Sequence, residues 1–248
     1  MKKILLLSCV TTLLFAQTAQ EVAQKSYQQI SGYKSSLSQT TMVLKNAQGD
    51  ENIRKIEIKK LEGKDGDRSL LTFLYPNDLK GTKLLSYEVI GGDDKQWLYL
   101  PAIKRVKRIS SRNKSGSFMA SEFSYEDIAS QNYKNYTYSG EAKVIKKDAQ
   151  QFFKIERVPK DKHSGYSKQI IYIDTKEYLA RSGEYYDKQG RLLKKIYFLD
   201  YVVVDGVYRV HKIVIHNVQN KKESILRWEQ DSIGVALDKK DFSKRALR

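Results

Sequence analysis

Asp78-Leu79-Lys80-Gly81-Thr82-Lys83-Leu84-Leu85, followed by Gln96-Trp97-Leu98-Tyr99-Leu100-Pro101-Ala102, opens the stretch that decides how this chain folds. Lys104 to Arg112 comes next and is cationic. Gly116-Ser117-Phe118-Met119-Ala120-Ser121-Glu122-Phe123-Ser124-Tyr125-Glu126-Asp127-Ile128 closes the stretch. Trp97 to Leu100 carries apolar side chains in succession, so as a strand it is apolar on both faces. Such a strand must be covered on both sides, for instance by a cavity on one and by a helix or a partner on the other. Six cations then follow without an acid between residues 104 and 114: Lys104, Arg105, Lys107, Arg108, Arg112 and Lys114. The juxtaposition describes an oily surface with a charged rim. Head group and hydrocarbon are joined in an amphiphile, and it needs adjacent sites of both kinds. A solvated basic loop beside ordinary core aromatics is the plainer reading of the same residues.

Outward from this stretch, the hydrophobic period is two almost everywhere. Ile56 and Ile58 alternate with Lys55, Glu57 and Lys59, and Leu71, Phe73 and Tyr75 with Leu70, Thr72 and Leu74. Phe153 and Ile155, Ile171 and Ile173, Ile213 and Ile215, and Leu226 and Trp228 follow the same rule. This pattern marks antiparallel strands with one apolar and one wet face. Gly91-Gly92-Asp93-Asp94, Asp187-Lys188-Gln189-Gly190 and Asp205-Gly206 supply hairpin-type breaks. The three prolines, at 76, 101 and 159, each end or interrupt an extended run. Helices are predicted over 21–33, from Ser124 (as a capping box) to about Ser130, and over 238–247, with Phe242 and Leu247 as the last helix's contacts. About ten or eleven strands with one apolar face cannot stay flat and exposed. The predicted fold is therefore mainly β (α+β): a single curved antiparallel sheet closed by a few helices.

The first residues read as a secretory signal: Lys2 and Lys3, then a short apolar run from Ile4 to Phe15, then Ala16 as the cleavage residue, with Ala19 as the alternative. The run falls well short of the ~20 residues that a membrane-spanning helix needs. The expected organisation is a signal peptide, 1–16, and one domain, 17–248. The single cysteine, Cys9, lies in the signal, so the mature chain can form neither a disulfide nor a thiolate metal site. Removing the two signal lysines leaves 43 cations against 29 acids, a net charge of +14. Export makes nucleic acid an unexpected partner and points this charge at phospholipid or lipopolysaccharide head groups, or at solubility alone.

The residues 78–127 resemble the signature of the bacterial outer-membrane lipoprotein-sorting protein family, relatives of the LolA and LolB carriers. That signature runs from an LKGT box, through a tryptophan strand ending in YLP and a basic run, to a GSFMGSDFSYED-like segment. Ala120 stands where the pattern carries glycine, and Glu122 where it carries aspartate. A glycine kept there for a positive φ would leave Ala120 strained. The resemblance implies an incomplete β-barrel whose mouth is covered by helices, with an apolar cavity for acyl chains. It also implies, by analogy, an inner-membrane transporter of the RND type as partner.

No catalytic set is visible. The three histidines, 163, 211 and 216, have no acid at metal-ligand spacing, there is no Gly-x-Ser-x-Gly, and no histidine lies near a promising serine. Glu126 and Asp127 are adjacent, which places them about 100° apart on a helix, and they read as a negative helix N-terminus. The chain is therefore expected to be neither an enzyme nor a cofactor or metal binder, but a monomeric periplasmic carrier with transient membrane-surface contact. It would shield the acyl chains of lipoproteins or related lipids. The expected cavity residues are Ile56, Ile58, Leu71, Phe73, Trp97, Tyr99, Phe118 and Met119, and Arg105 and Arg108 are the rim for a head group or partner. The alternative is an adaptor that carries no lipid and binds a membrane transporter or acidic polymer through its basic face.

Overall fold

The computed structural model describes residues 17–248, so the signal reading of 1–16 and Cys9 lie outside it. Six strands form the first meander: β1 (Ser35–Lys45), β2 (Glu51–Leu61), β3 (Arg68–Tyr75), β4 (Lys83–Tyr87), β5 (Lys95–Leu100) and β6 (Arg105–Ile109). The remaining strands are β7 (Tyr136–Tyr138), β8 (Lys143–Lys147), β9 (Gln150–Pro159), β10 (Tyr166–Asp174), β11 (Ala180–Asp187), β12 (Leu192–Val204), β13 (Val207–Asn217) and β14 (Glu223–Ile233). All fourteen belong to one sheet, ordered β6-β5-β4-β3-β2-β1-β14-β13-β12-β11-β10-β9-β7, with β8 also paired to β9. The pairing is antiparallel throughout, and β1 against β14 joins the two halves. The sheet stays open between β6 and β7. The architecture is the one predicted, with more strands than the ten or eleven anticipated. The surplus comes from short pieces such as β7, only three residues long, and β6 and β8, whose charged residues hide their periodicity.

Two segments close the sheet. Helix α1 (Ala19–Ile30) is opened by a capping box, in which Thr18 and Glu21 satisfy each other's backbone N–H groups. Its Ala19, Val22 and Ala23 are buried against the concave core. The second segment is the stretch between β6 and β7. It crosses the concave face and carries a single helical turn, α2 (Tyr125–Ile128), with Ser124 and Asp127 as its capping box. Phe118 is wholly buried there against Phe73, with ring centroids 5.8 Å apart. Arg54 reaches from β2 to hold the Met119 carbonyl. Met119 and Ala120 both take positive φ, 50° and 60°, so Ala120 sits in the left-handed region that favours glycine.

A buried ion pair pins this segment to the sheet. The Lys194 ammonium on β12 lies 2.6 Å from the Asp127 carboxylate, and both side chains are about one-twentieth exposed. The same ammonium donates to the Glu122 carbonyl, and the Tyr166 hydroxyl donates to Asp127. Removing one member of such a pair would leave a buried charge unmatched.

The convex face has its own, smaller core. Leu70, Leu85 and Trp97 point outward there and are covered by Phe242 and Leu247, both fully buried. The tail that brings them is not the helix predicted over 238–247. It is a 3-10 turn, Lys239–Phe242, capped by Asp238 and ended by extended Ser243. Ten residues hold little helix by themselves, and docking of Phe242 and Leu247 sets their path. Trp97 to Leu100 is thus covered on both sides, by the tail on the convex face and by the concave core on the other.

Candidate functional site

Strands β2 and β3 show how the concave side passes from packed to hollow. Their facing residues form successive rungs: Ile56 with Phe73, Ile58 with Leu71, and Lys60 with Ser69. The Ile56–Phe73 rung is sealed by Phe118 and is fully buried. One rung on, Ile58 and Leu71 face a cavity of about 300 Å³. Two residues along a strand span ~7 Å, so hollow begins within one rung of where the crossing segment ends. The third rung, Lys60 and Ser69, also lines the cavity, and Glu62 and Asp67 extend it towards the end of α1.

The wall is drawn from both halves of the sheet. Leu84 joins Ile58 and Leu71 from the first half, and Ile155, Ile171, Ile173, Phe198, Ile213, Leu226 and Trp228 come from the second. Helix α1 contributes Ala23, Tyr27 and Ile30, and the crossing segment contributes Phe123 and Ile128. The size lies at the lower end of the range of small-molecule sites, and the surface facing the space is mainly apolar by area, although polar and charged residues line it in similar number.

The polar end of the cavity is charged on both signs. Burial pushes the Asp67 carboxyl up to about 6, with Glu88 adding repulsion. Burial raises Asp94 to about 6 as well. The Lys60 amine is pushed down, again by burial first and then by Arg209. Arg209 itself makes two hydrogen bonds to Asp231, at 2.7 and 3.0 Å, and stacks over Tyr33. Glu62 accepts from the backbone N–H groups of Gly32 and Lys34, which ties down the exit of α1.

The ten residues singled out from sequence fall into four places. Ile58 and Leu71 line the cavity. Ile56, Phe73, Phe118 and Met119 belong to the same concave core but pack beside the cavity rather than around it. Trp97 and Tyr99 lie on the convex face, under the C-terminal tail, and do not reach the cavity. Alternation explains this: in β5 it is Leu98 and Leu100 that turn inward. Arg105 and Arg108 are exposed on β6 and make no ion pair among the described residues. β6 contributes nothing to the cavity wall. Arg108 faces Trp97 and Arg105 faces Leu100 across the ladder, so the two arginines leave the strand on opposite faces.

A family model described as an uncharacterized protein matches residues 65–248. A provisionally assigned outer membrane lipoprotein-sorting protein domain from Vibrio parahaemolyticus is 40% identical, over 92% of this chain and 97% of that one, with a TM-score of 0.86. The chain belongs to the outer membrane lipoprotein-sorting family. A DUF1329 family protein from Desulfovibrio piger is similar at 29% identity, over 93% of this chain and 98% of that one, with a TM-score of 0.86. A LolA superfamily protein from Nitrosomonas europaea shares the fold at 18% identity, over 93% and 100%, with a TM-score of 0.77. No curated protein matches the chain.

In this member of the family, sequence reasoning missed most of the second-half wall. Ile171, Ile173, Ile213 and Trp228 were legible as inward residues of alternating strands. Nothing local said that β1 pairs with β14 and brings them opposite Ile58 and Leu71. Among the described residues no group of three or more His, Cys, Asp or Glu could hold a metal ion, and no helix is long and apolar enough to cross a membrane.

Proposed function

We propose that the protein is a periplasmic carrier that shields the acyl chains of lipoproteins or related lipids during transfer toward the outer membrane. The observation that carries this reading is the apolar cavity of about 300 Å³ held open between sheet, α1 and crossing segment. Each methylene exposed to water costs about 0.8 kcal/mol, so a long chain cannot cross an aqueous gap without such a cover. The wall residues that would meet the chain include Ile58, Leu71, Ile171, Ile213 and Trp228. Membership of a lipoprotein-sorting family supports the same reading. In this account residues 1–16 export the chain and residues 17–248 act as one monomeric domain.

The cations of β6, Arg105 and Arg108 among them, supply attraction to acidic head groups during transient membrane contact, or to an RND-type exporter. Their lack of acid partners also favours the second reading, an adaptor that carries no lipid. Purification from the periplasm, organic extraction and mass spectrometry separate the two. A carrier yields close to one equivalent of amphiphile, lost in Leu71→Asp. An adaptor yields none and instead binds a partner with an affinity that falls steeply with salt.

A further inference from the structure

One cation of the cavity wall is hydrogen-bonded to neutral side chains alone. Arg157, on β9, is half-buried and forms part of that wall. Its Nε donates to the Gln169 side-chain carbonyl at 2.7 Å, and its Nη2 donates to the Gln131 side-chain carbonyl at 3.1 Å and to the Tyr185 hydroxyl at 3.4 Å. Its guanidinium lies 3.8 Å from the centre of the Tyr136 ring. All of these partners are neutral. No carboxylate lies within ion-pair distance of Arg157 among the described residues. Adjacent Glu156 is paired with Lys168, and the acids of the crossing segment are engaged elsewhere. Glu126 accepts from the Ser164 hydroxyl and the Gly165 N–H, and Asp127 is paired with Lys194.

Placing a guanidinium against an apolar cavity with only neutral acceptors is costly. The same arrangement holds the planar group rigidly and engages Nε and Nη2, which leaves the N–H groups of Nη1 to donate to a carboxylate or phosphate. We propose that Arg157 is the anchor for the acidic head of an amphiphile whose chain fills the cavity. This rests on the carrier reading and narrows its cargo: a single-chain lipid with a carboxylate or phosphate head is bound head-inward at Arg157, not only at the basic outer strand.

Displacement of the fluorescent methyl ester of cis-parinaric acid by oleate, oleoyl lysophosphatidate and neutral monoolein tests this on the full mature chain. The expected result is that at least one of the two anions competes about tenfold or more better than monoolein. Oleate leading points to a carboxylate, lysophosphatidate leading to a phosphate. Arg157→Gln should bring all three to within about twofold, while Arg157→Lys keeps part of the preference. Monoolein competing as well as both anions, or an unchanged preference in Arg157→Gln, overturns the anchor but leaves the carrier standing. If neither the ester nor monoolein binds, the carrier reading falls and the anchor with it. Should Arg157→Gln not fold, the wild-type protein decides alone. The carboxyl resonance of bound [1-13C]oleate should titrate below the usual carboxylate range, and titration at or above that range overturns the proposal.

Discussion

Ala120 shows how much one side chain can reveal. The family pattern carries glycine there, and the backbone of Ala120 indeed has φ 60°. A left-handed conformation costs a residue with a Cβ roughly 1–2 kcal/mol, part of which glycine gives back as unfolded-chain entropy. Ala120→Gly is therefore expected to stabilise the protein by about 0.5–1 kcal/mol in urea unfolding, and a loss of stability would show that the methyl packs usefully. Titration gives a second residue-scale expectation. Burial, aided by the Asp127 charge, pushes the Glu126 carboxyl up to about 7 from 4.5. Asp67 and Asp94 rise to about 6 from 3.8. Folded values above unfolded ones mean that the native state holds extra protons between about pH 4 and 7, so stability falls as pH rises through that window. The Tm is expected to be higher at pH 5 than at pH 8, with a flatter dependence in Glu126→Gln. A Tm that climbs with pH over this range would contradict the assignment. Glu126 and Asp127 were legible as a capped helix start, but not as a buried pair, because Lys194 arrives from β12 and Ser164 from the distant turn between β9 and β10.

Elements were easier to read than their neighbours. Wherever one face is buried and the other wet, as in β2, alternation names the strand and its inward residues. It fails in β6 and β8, whose exposed lysines and arginines leave no apolar face to detect. It also cannot say which face of β5 is which, since Trp97 and Tyr99 alternate with equally apolar Leu98 and Leu100. That single ambiguity put Trp97 in the cavity from sequence, when the C-terminal tail claims it. The tail is thus a structural cover, separable from the cavity. Phe242→Ala should cost about 3–5 kcal/mol, as for other buried aromatic truncations, while leaving amphiphile loading of the folded protein intact. Loss of loading at full stability would mean that the convex cluster takes part in binding after all.

At the scale of the whole molecule, the central claim is that this open sheet keeps its concave side hollow for a hydrocarbon chain. The joining of β1 to β14 makes this arrangement, because it curls two meanders around one space and lets a crossing segment fill only part of it. The chain's two tryptophans report on opposite sides of the wall. Trp228 lines the cavity, and Trp97 lies across the sheet under Phe242. The most direct measurement is fluorescence quenching by 9,10-dibromostearate, whose bromines act near contact range, in the single-tryptophan variants Trp97→Phe and Trp228→Phe. Strong quenching of Trp228 is expected, retained in Trp97→Phe, with little quenching of Trp97, retained in Trp228→Phe. Equal quenching of both, or an unquenched Trp228 in a protein that has bound the acid, would contradict it.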